Sequence, residues 1–225
     1  MTGNSDLRER IIDIYRKRAE NYDFTANLYY LIGYPEWKYR RLTVDRLNLE
    51  PGDSVLEIGC GTGLNFGLVQ ERIGPSGKLI GVDLTDAMLD QARSRVERQG
   101  WDNVELIHED AAWYEFPNDL DGIYSTFAIS LIPEAPEIIR RSARSLKSDG
   151  RWSLLDFEIP GNWPEWLVNP MLFLIKPFTP TEDWMERKPW PEIQSAMEDA
   201  LYQTSKESLY LGTTYLMSGR RDSLS

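Results

Sequence analysis

At 225 residues, 41% of them hydrophobic, the chain is long enough for a single fold that buries roughly 70% of its unfolded surface. A net charge of −11 argues against a general nucleic-acid binder, which needs a basic stripe. One cysteine excludes an intramolecular disulfide, and with one histidine a structural zinc site is implausible. No apolar core of signal-peptide type opens the chain. The longest apolar run of the C-terminal third, Met171-Leu172-Phe173-Leu174-Ile175, is far short of a membrane span. A cytoplasmic protein is expected, with contact at a membrane surface left open.

The charge is uneven. Residues 1–50 hold nine Lys/Arg against eight Asp/Glu, a net of +1, so the remainder carries −12. Within residues 7–18, Arg8, Arg10, Arg16, Lys17 and Arg18 face only Glu9 and Asp13. Leu7, Ile11, Ile14, Tyr15 and Arg18 recur at helical spacing, giving an apolar stripe with basic flanks. Two readings stand: an interfacial helix that brings the protein to anionic lipid, or a lid over a ligand site with one solvated face. Asn4-Ser5-Asp6 offers the N-cap in either case. Leu28 to Leu49 is expected to be helical, broken near Gly33-Tyr34-Pro35, before Pro51-Gly52 turns the chain into its first strand.

Val55-Leu56-Glu57-Ile58-Gly59-Cys60-Gly61-Thr62-Gly63 reads as a buried parallel strand ending in a glycine loop. Three glycines in five residues let the backbone turn tightly and approach a ligand closely. Glu57 at the strand end accepts hydrogen bonds and repels phosphate, which favours a polar, adenosine-sized, cationic cofactor such as S-adenosylmethionine. A dinucleotide loop does not fit, because the sixth position of its glycine pattern is Leu64 or Phe66. A tight turn with no ligand is the remaining reading of the glycines alone. The next strands weigh against it. Lys78–Asp83 is a second strand ending in an acid, 20 residues past Gly63, and Val104–Asp110 is a third. A carboxylate at the second strand end suits ribose hydroxyls, and one at the third suits the exocyclic amine of adenine. Ligands of open α/β sheets bind outside the carboxyl ends of the strands, where all three acids fall.

Between and beyond these strands, helices are expected over Leu64–Ile73, stopped by Gly74-Pro75-Ser76-Gly77, and over Asp86–Gln99, capped by Thr85 and ended by Gly100. Gly122–Phe127 makes the fourth strand, Pro136–Leu146 a helix, and Arg151–Phe157 the fifth strand. Residues 159–191 then change character, with seven prolines and four tryptophans, Trp163, Trp166, Trp184 and Trp190. Beside Phe173 and Phe178 these rings either pack the segment onto the sheet or line an acyl-chain or lipid-facing surface. The last strands are expected at Leu209-Tyr210-Leu211 and Thr214-Tyr215-Leu216-Met217, turned at Gly212.

Residues 10–158 resemble a class I (Rossmann-like) S-adenosylmethionine-dependent methyltransferase, through Glu57-Ile58-Gly59-Cys60-Gly61-Thr62-Gly63, Gly81-Val82-Asp83-Leu84, Glu109-Asp110-Ala111 and Asp121-Gly122-Ile123-Tyr124-Ser125-Thr126. The resemblance implies an α/β, doubly wound, mostly parallel sheet with an antiparallel last strand, an N-terminal helical lid and a Pro/Trp-rich insertion after the fifth strand. It divides the single domain into a lid (1–50), a cofactor-binding core (51–158), a substrate-side insertion (159–204) and C-terminal strands (205–225). It also implies that Gly59, Gly61 and Gly63 pack against the cofactor's amino-acid moiety and that Asp83 takes the ribose. Asp110 and Ala111 would take the adenine, flanked by Leu84 and Met88, with Thr126 and Phe127 beneath the sulfonium.

Tyr15-Arg16-Lys17-Arg18-Ala19-Glu20-Asn21-Tyr22-Asp23 is similar to the start of quinone-type methyltransferases and of bacterial phospholipid N-methyltransferases. Leu28-Tyr29-Tyr30-Leu31-Ile32-Gly33 and Ser125–Pro133 lean toward enzymes that N-methylate lipid head groups, including betaine-lipid ones. Methyl transfer from a sulfonium needs little beyond in-line positioning, on the order of 7–11 kcal/mol in favourable cases. An amine acceptor would need a lost proton and a pocket for its ammonium product, for which Tyr22, Tyr29 and Tyr30 are candidates. Tyr22 and Glu57 also count as cofactor-site candidates. His108 is expected to be structural and Cys60 to be a packing residue. Three functions are therefore weighed: N-methylation of a lipid head group or amphiphilic amine, methylation of a soluble small molecule or quinone precursor, and non-catalytic cofactor binding.

Overall fold

A computed structural model describes residues 2–23, 33–161 and 181–222, together with 163, 164, 166, 168 and 170. Tyr29, Tyr30, Phe173, Phe178 and the run 171–175 lie outside the described residues. The chain begins with helix α1 (Thr2–Arg18), followed by a 3-10 turn (Ala19–Asn21) and helix α2 (Glu36–Asp45). Strands and helices then alternate: β1 (Ser54–Ile58), α3 (Phe66–Ile73), β2 (Lys78–Asp83), α4 (Asp86–Gln99), β3 (Val104–His108), β4 (Leu120–Thr126), α5 (Ala135–Ala143) and β5 (Leu146–Phe157). Helices α6 (Thr181–Arg187) and α7 (Trp190–Ala200) lead to β6 (Tyr202–Leu209) and β7 (Thr214–Arg220).

The seven strands form one sheet in the order β3-β2-β1-β4-β5-β7-β6. Strands β1 to β5 are parallel, and β7 runs antiparallel to both of its neighbours. The fold is therefore the doubly wound α/β sheet expected. Its switch point lies between β1 and β4, where the chain order reverses and a crevice opens at the strand ends.

Alternation along the strands builds two cores. Leu56 and Ile58 of β1 face a layer of α5 and α7, through Ile138, Ile139, Ile193 and Met197. Val55 of β1 faces the other layer, where α2, α3 and α4 contribute Val44, Val69, Ile73, Leu89 and Ala92. Helix α7, within the expected insertion (159–204), is thus part of the main core. Trp184 is fully buried against Trp190, ring centroids 4.9 Å apart, so these two indoles carry packing, while Trp166 is exposed.

Several local expectations shift. Helix α1 already begins at Thr2 and runs through Asn4-Ser5-Asp6, so this trio is not its cap. Thr85 does occupy the position before α4 but makes no capping hydrogen bond with its side chain; Gly100 ends that helix in the left-handed region, as expected. The penultimate strand lies at Tyr202–Leu209, and Tyr210–Gly212 forms a 3-10 turn. The exposed, polar edge Tyr-Gln-Thr-Ser-Lys-Glu-Ser-Leu hides this strand from a reading based on apolar runs.

Candidate functional site

A cleft of about 780 Å³, counted to its open mouth, lies over the carboxyl ends of β1, β2, β3 and β4. Its floor begins at the glycine loop. Gly59 has φ +70°, and a Cβ there would fall 2.4 Å from the Ala128 Cβ, so loop and β4 end approach as closely as only glycine permits. Gly61 donates its N–H to Asp83 Oδ2 at 2.8 Å, while Asp83 Oδ1 accepts from Thr85 N at 2.8 Å. Asp83 is thereby fixed in the cleft wall, with Leu84 and Met88 continuing the wall into α4. Burial pushes its carboxyl up, against the lowering effect of the two backbone donors.

After β3, Asp110 and Ala111 line the same cleft. Asp110 Oδ1 accepts from Ala112 N at 2.9 Å, which orients the carboxylate. After β4, Thr126 and Phe127 complete the floor, and Ala128, Leu131 and Pro133 extend it. Phe127 sits at φ +55°, a conformation costly for a bulky residue. Its N–H bonds to Leu155 O at 2.8 Å, and the following turn is clamped by Asp156 at the end of β5. Asp156 accepts from Ser130 N at 3.0 Å, Ser130 Oγ at 2.8 Å and Phe157 N at 2.8 Å.

The N-terminal helix turns its apolar stripe inward. Leu7, Ile11 and Tyr15 are buried against Met88 and Leu131, so the apolar stripe faces the protein and roofs the cleft. Ile11, Tyr15 and Tyr22 line it. The Tyr15 and Tyr22 rings lie 6.2 Å apart, and burial raises the Tyr22 phenol to about 12. Asp23 then ties the segment down, accepting from Thr62 Oγ1 at 2.6 Å and pairing with Arg95.

Two expected cofactor-site residues, Glu57 and Gly63, stand behind the cleft wall rather than in it. Gly63 makes room for Phe66, whose ring would lie 2.6 Å from an added Cβ. The Glu57 carboxylate is fully buried, accepting from Asn65 Nδ2 and from Tyr124 Oη at 2.6 Å. It ends a network absent from the sequence reading. Arg40 on α2 is 4% exposed and donates to Glu36 Oε1 at 2.7 Å, to Thr126 Oγ1 at 2.8 Å and to Asn65 Oδ1 at 3.1 Å. Its guanidinium also lies 5.2 Å from the Phe127 ring centroid. The only sequence signal is the i,i+4 pair Glu36/Arg40, which usually marks a solvated face. Here the pair supports the cleft floor from below.

Burial raises Glu57 to about 7 and Asp156 to about 6. A carboxyl raised on folding stabilises the protein below its unfolded pKa, and that contribution is lost as pH rises through the folded value. Stability is therefore expected to fall between about pH 4 and 7, by about 3 kcal/mol for Glu57 alone. Glu57→Gln should flatten the pH dependence of the urea midpoint across that window. An unchanged slope would assign it to other groups.

His108 donates from Nε2 to Leu84 O at 3.0 Å, a structural role. The Cys60 thiol is buried and pushed up by burial; an added Cβ at Gly81 would meet its sulfur at 2.9 Å, so it packs. Among the described residues no group of three or more His, Cys, Asp or Glu side chains could hold a metal, and no helix is long and apolar enough to cross a membrane.

The cleft presents what an adenosyl sulfonium cofactor needs: acceptors at the ends of β2 and β3, apolar walls for a flat ring, and a close-approach glycine loop. Residues 55–150 match the methyltransferase domain family. The chain carries a class I S-adenosylmethionine-dependent methyltransferase domain.

The chain is 30% identical over 159 residues to the demethylmenaquinone methyltransferase of Listeria welshimeri, covering 70% of this chain and 66% of that one. It therefore spans about two thirds of the length of its Listeria relatives. To the demethylmenaquinone methyltransferase of Symbiobacterium thermophilum it is 27% identical, covering 96% of this chain and 94% of the other. In fold, it matches an S-adenosylmethionine-dependent methyltransferase of Aquifex aeolicus with a TM-score of 0.59 at 18% identity, over 80% and 88% of the two chains. It also matches a Haemonchus contortus N-methyltransferase, solved with phosphomonomethylethanolamine and S-adenosylhomocysteine, with a TM-score of 0.67 at 16% identity, over 83% and 53%.

Proposed function

We propose that this methyltransferase acts on a quinone precursor, an aromatic ring in its reduced, hydroxylated form. This reverses the order of the two leading sequence readings, which put a lipid head group first. The observation that carries it is the aromatic surface running on from the cleft floor. Phe127 stacks on Phe157 with centroids 4.8 Å apart and a 29° interplanar angle, and both rings are backed by the buried Tyr34, 6.4 Å and 6.2 Å away. Such a wall offers stacking to a flat acceptor ring. Phe157 also touches the cluster of Trp184, Trp163 and Ile159, extending the apolar surface outward. The relatives' names support the same acceptor class, while the likeness to the N-methyltransferase from Haemonchus contortus is one of fold.

S-adenosylmethionine, when bound, supplies an electrophilic methyl group. The chain's own residues position it: Asp83 would hold the ribose hydroxyls, Asp110 with Ala111 the adenine, Gly59 and Gly61 the amino-acid end, and Thr126 and Phe127 the floor. Glu57 and Gly63 would act one layer back, by shaping the loop. Tyr22 would close the roof beside the reacting centre. The lid and aromatic wall exclude water, and orientation rather than side-chain chemistry provides the acceleration.

The test offers purified protein tritiated S-adenosylmethionine with either a short-chain demethylated naphthoquinol or phosphatidylethanolamine vesicles. Label is expected in the quinol and not in the lipid. Label in the lipid alone would overturn the proposal in favour of head-group N-methylation.

A further inference from the structure

We propose that Arg8, on the lid helix, is a cofactor-site residue that closes the adenine end of the cleft and sets how long the cofactor stays. The inference rests on the cleft being the cofactor site. Arg8 lies in the cleft wall and spans two carboxylates from separate loops. Its Nε donates to Asp110 Oδ2, and its Nη2 pairs with Glu134 Oε2 at 2.8 Å. Asp110 follows β3, and Glu134 immediately precedes α5. The fork thus binds α1 to both loops, 109–111 and 131–133, that line the cleft.

The guanidinium geometry matters here, because its planar donors can serve two carboxylates at once, whereas an ammonium is a single point charge. The three side chains are 19%, 13% and 30% exposed, so the bridge is better shielded than an ordinary surface pair. A second tie of the helix, Arg16 to Asp86, has both partners about half exposed and contributes much less. Of these two ties, the Arg8 bridge is the better shielded and holds the end of the helix that lies over Asp110.

Asp110 connects that contact to the ligand. Its Oδ1 holds the Ala112 N–H and its Oδ2 holds Arg8, leaving further lone pairs for an amine. An adenine amine bonded to Asp110 would share one carboxylate with the lid. Lid docking and cofactor retention then become one coupled equilibrium, in which weakening either weakens the other. Glu134 is outside the cleft lining and is linked to it through Arg8.

The test measures release of S-adenosylhomocysteine by stopped flow from the parent protein and from Arg8→Ala, Arg8→Lys and Glu134→Gln. Release is expected to quicken about tenfold in Arg8→Ala and about threefold or more in the other two, tenfold corresponding to about 1.4 kcal/mol. Glu134→Gln is the diagnostic variant, since it removes no direct ligand contact and should leave the thermal midpoint unchanged. Parent release should also quicken with added salt while that of Arg8→Ala does not. If the parent binds but Arg8→Lys and Glu134→Gln both release within twofold of it, Arg8 is only a surface contact and the proposal falls. If the parent does not bind, the cofactor reading of the cleft fails first.

Discussion

Asp83→Ala is expected to weaken S-adenosylhomocysteine binding by about two to four orders of magnitude. Hydrogen bonds to a charged group are worth about 1.5–3 kcal/mol each, and a ribose offers two hydroxyls to this carboxylate. The loss should appear in affinity more than in folding. Removing the carboxylate deprives the Gly61 and Thr85 N–H groups of their acceptor, but it also relieves a charge that burial disfavours. Calorimetric titration gives the affinity, and a circular dichroism melt confirms that the variant is folded. Affinity unchanged in a folded variant would remove Asp83 from the ribose site.

The second large effect lies where no ligand contact is expected. Arg40→Ala should destabilise the protein by about 3–5 kcal/mol, because it leaves Glu36 buried without its counter-charge. The same change releases Thr126 and Asn65 and takes a cation from beneath the Phe127 ring. With roughly 2–4 °C per kcal/mol for a domain of this size, the melting temperature should drop by about 10 °C. Replacing both partners, Glu36→Met with Arg40→Met, removes the uncompensated charge and should recover much of that stability. Cofactor affinity should stay low in the double variant, since the floor has still lost its hydrogen bonds. A single variant within 1 kcal/mol of the parent would show that the network is dispensable.

These two residues mark what could and could not be read from the chain. The place of Asp83 in the cleft is legible because it follows from neighbours in sequence: an apolar strand, an acid at its end, and a helix beginning three residues later. The limits of β2 and α4 agree with the expected ones for the same reason. Arg40 is not legible, since Glu36 and Arg40 four residues apart look the same whether the helix face is wet or buried. Only the packing of α2 against β4 and β5 removes that pair from water. Arg8 is hidden likewise, standing one position off the apolar stripe and meeting Asp110 from 102 residues away.

The sequence by itself determined the five parallel strands, the glycine loop and the series of acids at the ends of successive strands. Each of those signals is written within one element and the turn that follows it. The tertiary structure decided which way the lid stripe faces, because Leu7, Ile11 and Tyr15 gain more by burial against Met88 and Leu131 than by remaining exposed. It also decided that Glu57 turns to Tyr124 and Asn65, since a carboxylate ending a central strand must find donors on the elements beside it. The aromatic wall joining Phe127 to Phe157 exists only through the pairing of β4 with β5, which places two strand ends from distant parts of the chain side by side.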